Sequence, residues 1–184
     1  MKFWVSLVGY QLVWFCAVIG AGRGLALPGV LAMLLYATWQ LTVSQQHKAD
    51  LLLLVTAIAL GCVLDGGLLR AGLLRYAAAW PLATMAPAWI LALWATFALT
   101  FTQSLKYLQT RLWLALFLGV IGCPLAYLGA ARGWHAVTFA QPTWHVVLWL
   151  AISWGLATPL LAWLARRWSR AAAPVPVPLR GQTS

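Results

Sequence analysis

Residues 51–69 read LLLLVTAIALGCVLDGGLL, a run with a single charge, Asp65. A helix rises 1.5 Å per residue, so about 20 apolar residues cross the hydrocarbon core of a bilayer. The run therefore predicts a membrane-spanning helix. Working outward, five more stretches have this length and character: Phe3–Gly20, Leu25–Val43, Leu82–Thr102, Leu112–Ala131 and Trp144–Ala165. The composition agrees. Of the 184 residues, 64% are hydrophobic and 8% charged, against about 45–50% and 25% in soluble domains. A soluble domain of this size leaves too much of its surface exposed to hide so much apolar area. Intrinsic disorder needs low hydrophobicity and is excluded too. The expectation is an all-α, six-helix transmembrane bundle forming one domain over residues 1–168. The proline-rich segment 169–184, with Pro174, Pro176 and Pro178, is expected to be a disordered cytoplasmic tail.

The connections are too short to hold a folded domain, so any chemistry must sit among the helices or at their rims. Gly20–Gly24 reads as a tight turn, and Ser44–Lys48 and Gln103–Arg111 as polar hairpin loops. Arg70–Pro81 and Arg132–Thr143 are longer. Twelve Lys and Arg face two acidic residues. The cations are scattered singly between apolar blocks, which argues against nucleic acid as a partner. Sorted by side, Lys2, Lys48, Lys106, Arg111, Arg166, Arg167, Arg170 and Arg180 oppose Arg23, Arg70, Arg75 and Arg132. The positive-inside rule then puts both termini in the cytoplasm of a bacterial cell, with a multi-pass protein in the inner membrane. Lys2 and the first apolar run resemble a signal peptide, but the length of the run and Gln11 favour a retained span.

No cofactor or metal is expected. Cys16, Cys62 and Cys123 each lie within an apolar run, and their odd number and spacing suit neither a disulfide framework nor a zinc site. Haem held by two histidines would need both inside the membrane, and only His145 enters a span. Ser44 and Ser104 fall at the opposite rim from Asp65 and His145, so no serine triad is possible.

Asp65 is the leading candidate. A charged Asp at mid-membrane costs about 2.5–3.5 kcal/mol on insertion scales. It lies about 21 Å along its helix from Leu51, in the outer half of the bilayer. Gly66 and Gly67 beside it would let another backbone approach. Arg70 is poorly placed to pair with it along one helix. Asp65 is either a substrate, proton or headgroup site, or a helix-end charge met by a loop arginine or by water. Tyr127 and His145 share its predicted depth, and the three together form a candidate outer-rim binding or acid–base group. Gln11, near the middle of the first span, wants a partner across helices. Trp94, with Trp14, Trp89, Trp149 and Trp154, lies deep enough to line a pocket for an acyl chain, quinone or polyene. Trp4, Trp80, Trp113, Trp134, Trp144 and Trp168 fall at the expected interfaces. Pro87, Pro124 and Pro159 would kink their helices. A weak internal repeat relates Tyr36–Gln45 to Trp94–Gln103, the kind of symmetry transporters carry.

Val8–Phe15, Pro87–Phe97 leading to Ser104-Leu105, and Gly119–Tyr127 resemble a small proteobacterial inner-membrane family, the domain of unknown function 2878. That family usually follows its middle block with Ser-Leu-any-Trp-Leu. Here Tyr107 replaces the Trp, and Cys123 precedes Pro124-Leu125 where the family has Gly. The resemblance brings no catalytic residues. It implies a setting beside cyclopropane-fatty-acyl-synthase-like and flavin amine-oxidase-like enzymes, tied to photo-oxidative and envelope stress. The expected function is a lipid-binding or accessory partner of enzymes that modify acyl chains, in contact with membrane lipids. The alternatives are a small transporter or flippase using Asp65, and an integral-membrane enzyme. A homo-oligomer is compatible with each.

Overall fold

A computed structural model describes residues 2–171. Six helices carry the chain: α1 (Lys2–Gly22), α2 (Leu27–Val43), α3 (His47–Arg70), α4 (Ala88–Thr100), α5 (Leu112–Trp134) and α6 (Thr143–Ala171). The fold is all-α, and α1, α3, α5 and α6 are long and apolar enough to cross a membrane. The protein is a membrane protein on that evidence. The six predicted stretches each contain one helix, with differences at the ends that have physical causes.

The largest difference is at α4. The stretch Leu82–Thr102 supplies only 13 helical residues, about 20 Å of helix. Pro87 sets the start: it is extended, with ψ at 151°, and it disfavours helix in the residue before it. At the other end the Thr96 and Thr100 hydroxyls donate to the carbonyls of Ala92 and Phe97. Such bonds compete with the helical ladder, and the chain leaves the helix at Phe101. It continues through turns into a short 3-10 segment, Lys106–Thr110. Irregular backbone at membrane depth survives only under protein cover. Phe101, Thr102, Ser104, Leu108 and Gln109 are all buried.

Ten of the thirteen α4 residues are buried, which makes α4 the central helix. α1, α2 and α3 pack directly on it, and all five other helices turn large apolar side chains outward, among them Leu12, Leu35, Val63, Leu125 and Leu156. α5 packs tightly on α6. A Cβ on Gly119 would stand 2.2 Å from the Trp154 carbonyl oxygen, so only glycine allows that approach. Gly119 itself lies within a π-turn over Leu118–Gly122.

The two ends of the bundle differ. At one end the longer connections pair as a two-stranded antiparallel ribbon, β1 (Leu74–Tyr76) with β2 (Val137–Phe139), and Tyr76 stands opposite Val137. At the other, Lys2 Nζ donates to the Val43 carbonyl at 3.0 Å and Ser169 Oγ donates to Gln46 Oε1 at 2.5 Å. Lys2 and Ser169 therefore lie at the same end of the bundle. α6 runs to Ala171, three residues past the expected domain boundary at 168. The rest of the proline-rich tail lies outside the described residues.

Candidate functional site

Three donors converge on Asp65. The Tyr76 and Tyr127 hydroxyls donate to Oδ1 at 2.6 and 2.5 Å, and Trp94 Nε1 donates to Oδ2 at 2.6 Å. Asp65 is fully buried. All three partners are neutral, and they come from β1, α5 and α4, so one carboxyl group ties four elements together. The β1–β2 ribbon brings in Tyr76, whose register opposite Val137 holds it over the bundle end. Burial, and then the Asp65 carboxyl beside it, push the Tyr76 phenol well above its usual range, so it remains a donor at physiological pH. Gly61, one turn before Asp65, opens the slot for Trp94: a Cβ there would lie 2.6 Å from the indole Cδ1.

Trp94 is also a wall of a cavity. Its other face stacks on Trp154, with centroids 3.8 Å apart and planes 16° from parallel. Phe97 and Tyr127 meet Trp154 edge-on at 5.6 and 6.4 Å. A void of about 40 Å³ lies among Trp14, Trp94, Phe97, Tyr127 and Trp154. It shares Tyr10, Trp14, Phe97, Cys123 and Ala126 with a larger groove of about 400 Å³. That groove runs between α1 and α5, from Ala126 and Trp14 to Leu7, Gln11, Ser104 and Leu105. α1 and α5 touch at one end, where Trp134 packs on Trp14 and Phe15 with centroids 5.6 and 5.7 Å apart. Below that contact Leu7 and Gln11 are exposed on the outer flank of the bundle. The groove thus opens sideways, and its lining is mostly apolar, with Tyr10, Gln11, Thr100 and Ser104 as its hydroxyl and amide groups.

The sequence-predicted residues divide on this geometry. Asp65, Tyr127 and Trp94 meet in one hydrogen-bonded cluster. His145 does not join them: it is exposed on the first turn of α6, against Trp144, with ring centroids 3.6 Å apart. Depth along the bilayer was the only basis for grouping it, and depth does not fix which way a helix face points. Gln11 is exposed at the groove mouth and makes no side-chain hydrogen bond among the described residues. Arg70 is exposed too, so the loop-arginine reading of Asp65 gives way to the aromatic donors. Trp14, Trp89 and Trp154 line the inner void as expected for a pocket, whereas Trp149 is exposed on α6.

Two residues went unread in the sequence. Tyr76 sat in a presumed loop, and nothing local marks it as a partner of Asp65. Asp50 sat just before the span drawn from Leu51, yet it lies inside the first turn of α3 and is fully buried. Its signal is spacing: Asp50, Leu53, Ala57, Gly61, Asp65 and Leu68 form one buried stripe at helical intervals.

Residues 3–160 match the sequence profile of a family described as "Protein of unknown function (DUF2878)". The chain belongs to the DUF2878 family. The match takes in α1 to α5 and most of α6, and so all of the Asp65 cluster and the groove. No curated protein and no solved structure matches the chain.

Proposed function

We propose that this DUF2878 protein binds the chain of a membrane lipid in the groove between α1 and α5 and presents it to enzymes that modify acyl chains. The sideways opening carries the reading. A lipid chain reaches such a groove from within the bilayer, without crossing water. The volume lies within the ~300–1,000 Å³ of small-molecule sites. A chain already in the bilayer loses no contact with water on entering, so the aromatic and aliphatic walls hold it by van der Waals packing. Gln11 is exposed at the mouth, where an ester carbonyl would stand, and Lys106, next to the lining residue Leu105, is exposed where a headgroup phosphate would stand. In this reading Asp65 fixes the inner wall: its bonds hold Trp94 and Tyr127 in place and engage both carboxyl oxygens.

The test is mass spectrometry of lipid released from protein purified with its membrane. Wild type should carry a lipid class enriched over bulk membrane. Ala126→Trp, which fills the junction of groove and void, should lose that enrichment while keeping its helix content. A wild-type profile equal to bulk membrane overturns the reading. The basic-residue bias supports an inner-membrane site with both chain ends cytoplasmic, and cysteine accessibility at Ser169 and at Arg75 tests that orientation.

One observation favours a transporter or flippase as the second reading: α4 is followed by irregular buried backbone, as in the broken helices of transporters. Flux in proteoliposomes that Asp65→Asn abolishes would select it.

A further inference from the structure

The opposite end of α3 carries a second buried carboxyl group that neither the groove nor the Asp65 cluster uses. Asp50 is fully buried, and its Oδ1 accepts from the Thr102 hydroxyl at 2.6 Å. Gln40, on α2, is also fully buried. Its Nε2 donates to Thr102 Oγ1 at 3.3 Å and to the Leu99 carbonyl at 3.5 Å. These two acceptors fix the amide orientation, because the reverse would set Gln40 Oε1 against the Leu99 oxygen. Two acceptors are then left over: Asp50 Oδ2 and Gln40 Oε1 are buried and have no hydrogen-bond partner among the described residues. Each is one carbon away from an atom already bonded to Thr102 Oγ1, so both belong to one cluster. The Ser44 hydroxyl lies beside Asp50 as well, its oxygen taking the Gln46 amide.

Leaving buried acceptors unmet is costly, and what meets them must be positive or donate. One cation would meet both acceptors at once. Thr102 sits just past the C-terminus of α4, the negative end of one helix dipole, and Asp50 lies in the first turn of α3, the positive end of another. At Thr102 the chain has left the helix, and the Leu99 carbonyl already accepts from Gln40. Carboxylate, amide and hydroxyl oxygens suit a hard cation. The single carboxylate balances a single charge. We propose that Asp50, Gln40 and Thr102 form a binding site for one monovalent cation, sodium by its oxygen donors, joining α2, α3 and the end of α4.

The probe is sodium ion alone, added to the purified full chain in lipid nanodiscs. Wild type should bind radiolabelled sodium saturably, with displacement by unlabelled sodium chloride but not by choline chloride. Its thermal midpoint should rise with sodium and not with choline, since a ligand of the folded state stabilises it by mass action. Asp50→Asn and Thr102→Val should lose both effects, and Thr102→Ser should keep them. Absence of saturable binding to wild type overturns the proposal, whatever the variants do. Binding that Asp50→Asn leaves intact also overturns it. So does a protonated-carboxyl infrared band that sodium leaves unchanged and Asp50→Asn removes: a proton shared with Gln40 would then fill the cluster.

Discussion

Replacing Asp65 with leucine tests the hub most severely. The side chain keeps its branched shape, loses both acceptors and crowds the site with methyl groups bulkier than oxygens, so the Tyr76 and Tyr127 hydroxyls and the Trp94 indole are left without their shared partner. A buried donor left unpaired costs about 1–3 kcal/mol. Three of them sum to about 3–9 kcal/mol, and relaxation of the two phenols should hold the loss to about 3–5 kcal/mol, the upper tail for single substitutions. Asparagine is milder. It keeps one oxygen for the phenols and turns an amide N–H toward the Trp94 N–H, so one pair is lost, at about 1–3 kcal/mol. The assay is reversible unfolding in mixed micelles, followed by helical circular dichroism. Leucine should cost two- to threefold more than asparagine, and adding Trp94→Phe to the asparagine variant should cost less than it does in wild type. An Asp65→Leu protein within about 0.5 kcal/mol of wild type, the range of neutral surface changes, would refute the hub.

Other expectations follow from particular contacts. Gly119→Ala drives a Cβ into the Trp154 carbonyl and should destabilise by about 1–3 kcal/mol, whereas Gly129→Ala, with no atom within 4 Å, should not; thermal unfolding of the pair separates them. Gly61→Ala should push the Trp94 indole off Asp65, seen as loss of its hydrogen-bonded Nε1–H signal in nuclear magnetic resonance. His145→Ala should leave stability and bound lipid unchanged, because the ring is exposed and apart from the cluster; a loss of lipid would return it to the site.

Much of the fold could be read from run length alone, since the bilayer sets how long an apolar helix must be. Where length misled, local chemistry decided: Pro87 and the hydroxyls of Thr96 and Thr100 cut α4 short inside an unbroken apolar stretch. Asp65 was legible because an acid in a span is costly enough to need a reason. Its partners were less so. They lie 11, 29 and 62 positions away, and such pairings depend on helix rotation and on a ribbon between two loops. Tyr127 and Trp94 could be nominated by depth, but the same rule also nominated His145. Asp50 was hidden by a boundary drawn one residue too late for it, at Leu51 instead of within a helix that starts at His47.

The groove is the central claim, and photo-crosslinking from the lipid side tests it most directly. Membranes holding the wild-type protein would be supplied with a phospholipid carrying a photoreactive group at the middle of one acyl chain, and the labelled residues mapped by peptide mass spectrometry. Labelling concentrated on Tyr10, Trp14, Cys123 and Ala126, and lost in Ala126→Trp, is the predicted result. Labelling spread evenly over outward residues such as Leu12, Leu35, Leu125 and Leu156, with the groove residues unmarked, would contradict it.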